Sequence, residues 1–338
     1  MNRTSTFRFS AYVLATILTF GMGALALAED DWSNEPEIEI ILSNITSDNG
    51  KDAGAFFKEN VEKRTGGTVT VELFNDNVLG DDLTVSQMTM QGNVGICVTA
   101  MSPLVSMYPD FYAFDAPFMF INKEDAYAKL DGPTGQAILD GLEALNLKGL
   151  AFWESGFRHL TNNKSTAETP DKIGTFKIRV MPNEIHIASW KAWGTNPTPM
   201  SFGELFTALQ QGAVDGEECP LGVIYGNKFH EVQKYLTLTG HSYTPFIVFM
   251  NLPLWNSMSA RQQEVVAQCM KEATDYERER STHYERIILD EMTKFGTVIT
   301  DPTADQKQIW KNAVMEAGVY DMIKKQMKNP DYLDTLTK

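Results

Sequence analysis

The chain predicts an α/β fold of two lobes joined by ordered crossing segments. Three observations carry that expectation. Between residues 38 and 98, apolar or β-branched runs alternate with stretches of helical periodicity across short turns, the pattern of strands and helices on a largely parallel sheet. A second alternation of this kind begins near Gly156. From Ser259 the chain reads as helix, with no Gly or Pro before Gly296. A helix of roughly 35 residues is about 50 Å long, more than one domain's diameter, so it should run along both lobes.

In order, Ile38-Glu39-Ile40-Ile41-Leu42 is a strand. Ser47 or Asp48 caps a helix with Ala53, Phe56, Phe57 and Val61 at helical spacing, which Gly66-Gly67 ends. Thr68 to Phe74 alternates as a strand, Asp81 or Asp82 opens a helix to Gln91-Gly92, and the apolar run Val94 to Val98 follows. In the second unit, Lys177-Ile178-Arg179-Val180 is a strand. Glu184 to Trp193 and Ser201 to Gln211 are helices closed by Gly194 and Gly212, placed where a left-handed cap is wanted. Ser259 and Gln262 stand in capping-box register. No repeat, low-complexity tract or flexible linker interrupts this order.

Of 338 residues, 43% are apolar or aromatic and 22% charged, which excludes a disordered, collagen-like or disulfide-framework chain. Acids outnumber bases 44 to 29, so the chain lacks the basic face that a nucleic-acid partner requires. Arg3 and Arg8, the apolar stretch Ala11 to Phe20 and the small residues Ala24 to Ala28 make residues 1–28 a secretory signal peptide, cleaved after Ala28. The mature protein is therefore expected outside the cytoplasmic membrane. Cys97, Cys219 and Cys269 are odd in number and widely spaced, and no disulfide is expected.

The motifs of common catalysts are missing. The only G-x-G lies in the signal peptide, at Gly21-Met22-Gly23; there is no phosphate-binding loop, no paired histidines at metal-ligand spacing and no G-x-S-x-G elbow. No cofactor or metal is called for. One residue does stand out: Arg179 lies between Ile178 and Val180 on a short strand, so it faces away from the core and toward an edge or cleft, where a guanidinium suits two-pronged capture of a carboxylate. The run Asp275 to Arg280, with opposite charges at neighbouring helical positions, reads as a solvated helix face.

Gly156-Phe157-Arg158-His159-Leu160-Thr161, Lys177 to Asn183, Pro197 to Gly216, Glu217-Glu218-Cys219-Pro220 and Phe229 to His241, with Val78-Leu79-Gly80-Asp81-Asp82 earlier, form a collinear set. From about Ile38 to about Phe295 the chain resembles the extracytoplasmic solute receptors of tripartite ATP-independent periplasmic (TRAP) transporters. The resemblance implies a two-lobed periplasmic binding protein fold with a hinge of crossing strands, a long helix along its back and an organic acid clamped between the lobes. It implies that Arg179 ion-pairs with the ligand carboxylate, that Arg158 is a second ligand arginine, that Phe202 packs on the ligand and that Asp82 is an acidic position of the first lobe near the cleft. Tyr243, where the chain should recross between lobes, is a further candidate. Pro199, Glu204 and Gly216 match the motif as well, Gly203 and Gly216 being read as turn residues and Glu204 as a helix-terminus acid.

Two positions depart from the family pattern V-D-G-Q-E-N-P: Glu217 replaces a Gln, and Cys219 replaces an Asn expected against the ligand. A thiol is a weak donor where an amide both donates and accepts, so Cys219 at the cleft wall removes a partner for a hydroxylated sugar acid. The stretch Cys97 to Pro103 carries no charge either, which points to a smaller or less polar ligand. The expected lobes are 29–156 with 245–285, and 157–244 with 286–338. The partners implied are a small carboxylate and the permease subunits of a TRAP transporter, the receptor itself being a monomer. The rival classes are a secreted hydrolase or lyase using Asp82 or Glu217 as acid or base, and a sensor subunit for a signalling protein.

Overall fold

The computed structural model describes residues 31–43 and 47–338; the expected signal peptide lies outside them. Ten strands form one sheet. The strands are β1 (Ile38–Ser43), β2 (Val69–Phe74), β3 (Ile96–Ala100), β4 (Leu147–Asn162), β5 (Lys177–Val180), β6 (Asn196–Pro199), β7 (Gly216–Pro220), β8 (Tyr235–Thr237), β9 (Tyr243–Asn251) and β10 (Val298–Thr300). Their order is β2-β1-β3-β9-β4-β7-β5-β6, with β8 beside β4 and β10 beside β8.

The strand β4 joins the two halves of this sheet. Its residues 147–157 pair antiparallel with β9, its residues 158–162 with β7, and its residues 160–162 also with β8 on the other side. The register shifts between Glu154 and Gly156, where Gly156 takes φ +112°, a conformation that L side chains avoid. The second alternation thus begins inside a strand that the first half already uses.

Local capping follows the expected chemistry. The Ser47 and Asp81 side chains accept from backbone N–H groups of the helices Asp48–Arg64 and Asp82–Met90. Ser259 and Gln262 close a capping box on the helix Ala260–Phe295, which Gly296 ends at φ +105°. This helix packs on the Asp48–Arg64 helix and on β4, with Trp153 donating to Thr274 at 3.0 Å. No described helix is long and apolar enough to cross a membrane.

Two expectations fail on the long helix and at β7. Glu277 is fully buried, accepting from the Glu154 N–H at 2.9 Å and from Asn49, so the run Asp275 to Arg280 is not a solvated face. Arg278 reaches Asp131, and Arg280 reaches Asp52 at 2.9 Å. Gly203 is helical and Gly216 starts β7, so neither is a turn residue; a Cβ at Gly216 would stand 2.2 Å from the Thr161 carbonyl, which makes close strand approach its reason.

The apolar interior is continuous across both halves. Phe111, Ile247 and Tyr243 share one cluster with Ile178, Trp193 and Trp310, while Ile40 and Val98 share another with Leu205 and Leu221. The C-terminal helices touch both halves as well: Asn329 donates to Asp110 and Tyr320 to the Pro117 carbonyl, while Trp193 donates to the Trp310 carbonyl. Residues 304–336 therefore make contacts with both halves.

Candidate functional site

Strand alternation and strand order assemble the site. Ile178 and Val180 enter one apolar cluster, so Arg179 projects to the opposite face. In the neighbouring strands Arg179 is in register with Glu217, His159 with Cys219, and Arg158 with Pro220. Arg158, Cys219 and Arg179 thus come from three adjacent strands. Asp82 and Phe202 join them from the first residues of two helices, and Ala100 from the end of β3. All surround a cavity of about 390 Å³, counting space open to solvent, whose wall also includes Ser155, Met181, Val223 and Phe246. An outer recess of about 430 Å³ shares Asp82, Arg179 and Phe202 with it.

Five of the six expected site residues therefore meet around one cavity, and Tyr243 does not. Its ring is buried between Phe120 and Phe157, and its hydroxyl donates to Glu154 at 3.2 Å, so it belongs to the core at the strand crossing. Glu154 also binds Lys123 at 2.7 Å, Tyr127 and Ser281.

The two arginines differ in what surrounds them. Arg158, 3% exposed, gives its guanidinium to both carboxylate oxygens and the carbonyl of Glu218, and to Thr244 at 3.3 Å. Burial opposes its charge, but Glu218 outweighs burial and holds its pKa above the usual value. Glu218 is bound in turn by His241 at 3.1 Å and His186 at 3.5 Å. Burial would raise its pKa; Arg158 and the two histidines hold it well below the usual range. Arg179, 1% exposed, donates only to the Met200 carbonyl, at 3.0 and 2.8 Å, and lies 5.9 Å from the Phe202 ring centre. No carboxylate among the described residues forms an ion pair with it, and burial lowers its pKa.

The remaining polar groups are held close. Asp82 accepts from Thr99 at 2.7 Å and from the Ala100 N–H at 3.3 Å through one oxygen, and burial raises its pKa. Glu217 is fully buried, takes the Thr161 hydroxyl at 2.5 Å on one oxygen and leaves the other without a partner; burial raises its pKa to about 7. The Cys219 thiol lines the cavity at 2% exposure, 3.7 Å from Arg158, with its pKa pushed well above the ordinary value by burial. All three cysteines are free and buried.

Sequence reasoning missed the groups that finish the wall and its support. Val223 and Phe246 sit in apolar runs with nothing to distinguish them from core residues. The partnership of Arg158 with Glu218 spans 60 positions, yet two adjacent carboxylates in the five-residue strand β7 were a usable signal. A larger recess of about 940 Å³ near Phe118 and Leu238 contains Lys307 and Asp301, already paired at 2.9 Å. No group of acidic, cysteine or histidine residues among those described is placed to hold a metal ion.

Comparison with known proteins agrees with this geometry. Residues 44–326 match the family model described as bacterial extracellular solute-binding protein, family 7. The 2,3-diketo-L-gulonate-binding periplasmic protein of Escherichia coli is 33% identical over 246 residues, 72% of this chain and 75% of that one. A sugar acid binding protein of Advenella mimigardefordensis, solved with galactonate, superposes with a TM-score of 0.85 at 32% identity, covering 89% of this chain and 97% of that one. A TRAP periplasmic solute binding protein of Sulfurospirillum deleyianum with bound succinate gives 0.83 at 32% identity, covering 89% and 98%.

Proposed function

The chain belongs to the bacterial extracellular solute-binding proteins of family 7, and from that premise we propose that it captures a small organic acid through a carboxylate ion pair with Arg179 and delivers it to a TRAP permease. Proteins of this family are extracytoplasmic receptors that bind solutes for transport and are not enzymes. Its solved relatives are two-lobed and hold organic acids such as galactonate, succinate and D-erythronate.

The observation that carries the finer reading is the buried guanidinium of Arg179, which lacks an acidic partner among the described residues and borders the cavity. A buried cation without a counter-charge is unfavourable, and a ligand carboxylate supplies one where water is excluded. The planar fork offers two parallel donors to it. Arg158 lines the same cavity while its charge is spent on Glu218. Phe202 covers the arginine, and Asp82 borders both the cavity and the outer recess.

Entry requires the walls to part, so ligand shifts a population between open and closed arrangements of two lobes, 29–156 with 245–285 and 157–244 with 286–338. The receptor acts as a monomer, exported under the direction of residues 1–28, which are then cleaved after Ala28. Calorimetry on Arg179→Lys tests the clamp, using an acid selected by thermal shift. Lysine keeps the charge and loses the fork, so affinity falls more than tenfold, about 1.4 kcal/mol, with the fold intact. Equal affinity of the two proteins removes the clamp.

A further inference from the structure

The cavity wall says which acid it takes. Four polar side chains reach it: Asp82, Ser155, Arg158 and Arg179. Arg158 is neutralised by Glu218, leaving Arg179 as the one positive charge among the described wall residues without an ion-paired carboxylate. Asp82 is an acceptor with one oxygen already engaged, and Ser155 is a single neutral hydroxyl. The rest of the wall is apolar or only weakly polar, with Met181, Phe202, Val223 and Phe246 supplying its large side chains.

These groups set the ligand by subtraction. One free cation neutralises one carboxylate. A second carboxylate would meet either Asp82, of like charge, or the apolar wall, and both are unfavourable. A chain of hydroxyls would find Asp82 and Ser155 and then run out of partners, each unpaired hydroxyl lowering affinity by roughly tenfold. An apolar body instead fills the space against Met181, Val223 and Phe246 and takes that surface out of water.

Resting on the receptor reading above, the geometry points to a small monocarboxylate with a branched or otherwise apolar body, carrying at most one hydroxyl or keto oxygen beside the carboxylate. That oxygen falls to Ser155, or to Asp82 when it bears a proton. The specificity comes from the apolar wall and the charge from Arg179, so the two can be separated by experiment.

Calorimetry on the full secreted chain, freed of carried-over ligand, is run with isovalerate, 2-hydroxy-3-methylbutanoate, 3-methyl-2-oxobutanoate, succinate and gluconate. At least one of the three branched acids binds a hundredfold or more tighter than succinate and gluconate. Val223→Asn and Met181→Gln, two independent variants, each narrow that ratio at least tenfold by placing an amide in the apolar wall. Succinate or gluconate binding as tightly as the branched acids, with Arg179→Lys still weakening them, overturns the apolar-body assignment while the carboxylate clamp stands. A ratio unmoved in both folded wall variants also overturns it. Binding of the branched acids undiminished in Arg179→Lys overturns the clamp and leaves the wall assignment in place. Failure of all five acids to bind overturns the proposed ligand class.

Discussion

Arg158 and Arg179 stand on neighbouring sides of β7, equally hidden from water, and differ in one respect. The surroundings of Arg158 are complete: Glu218 faces it, and His186 and His241 face Glu218. Those of Arg179 offer a carbonyl and an aromatic ring at contact distance, while Asp82 and Glu217 act on it without forming an ion pair. Burial alone therefore does not separate a structural charge from a binding charge; the presence of a counter-charge does. The first kind organises the fold, and the second waits for a ligand.

The largest effect that sharpens this contrast is on stability. Arg158→Met leaves the buried Glu218 with only His186 and His241 facing it and lowers unfolding free energy by about 3–5 kcal/mol in urea titrations. A loss below about 1 kcal/mol would mean that the histidines suffice and that Arg158 is free for ligand.

Next comes pH, through His186. Burial opposes its charge, but Asp115 at 3.3 Å and Glu218 outweigh it and raise its pKa to about 8. Arg158 and His241 are the other charged or titratable groups around Glu218. The folded pKa lies above the ordinary value of about 6.5, so the stabilisation is complete below that pH and disappears as pH rises through about 8, a change of about 2 kcal/mol. Glu217, pushed up to about 7 by burial, and Glu277, pushed up to about 8 by burial and by Glu154, also lower stability as pH rises. Urea midpoints at pH 6 and pH 9 for the parent and His186→Gln isolate the histidine: the gap between the two proteins shrinks at the higher pH, and a constant gap refutes the assignment.

A smaller effect is expected at the other arginine. Arg179→Met removes a charge with no partner and forfeits two bonds to one carbonyl, so ligand-free stability changes by only about 1 kcal/mol in either direction. A loss as large as that of Arg158→Met would erase the distinction. The smallest effect is kinetic. With Cys97 and Cys269 replaced by Ser, labelling of Cys219 is slow because burial suppresses the thiolate, and bound ligand slows it further. Labelling indifferent to ligand takes Cys219 out of the wall.

Much of this arrangement was legible from local rules. Caps at Ser47, Asp81 and Ser259 announce themselves because a short side-chain oxygen satisfies the first N–H groups of a helix. Arg179 was readable because two apolar strand neighbours leave it only one direction. The strand Asn196–Pro199 was not, since two prolines argue against a strand anywhere but at an edge, which is where it lies. The strand Tyr243–Asn251 is apolar throughout and has no period to read. Tyr243 and Glu277 were misread for a shared reason: their burial depends on Glu154 and Asn49, partners 89 and 228 positions away. Helical or strand period reports which face a residue occupies and is silent on what covers that face.

The place of β9 in the sheet has a consequence for the order in which the chain matures. It fills the gap between β3 and β4, although it follows both in sequence by the whole of the second half. As the polypeptide emerges amino end first, Ile96–Ala100 presents an unpaired hydrophobic edge until Tyr243–Asn251 arrives to zip onto it. The earlier half cannot be finished before the later one has been made, so the nascent molecule passes through a long sticky interval in which a holding chaperone would find its grip.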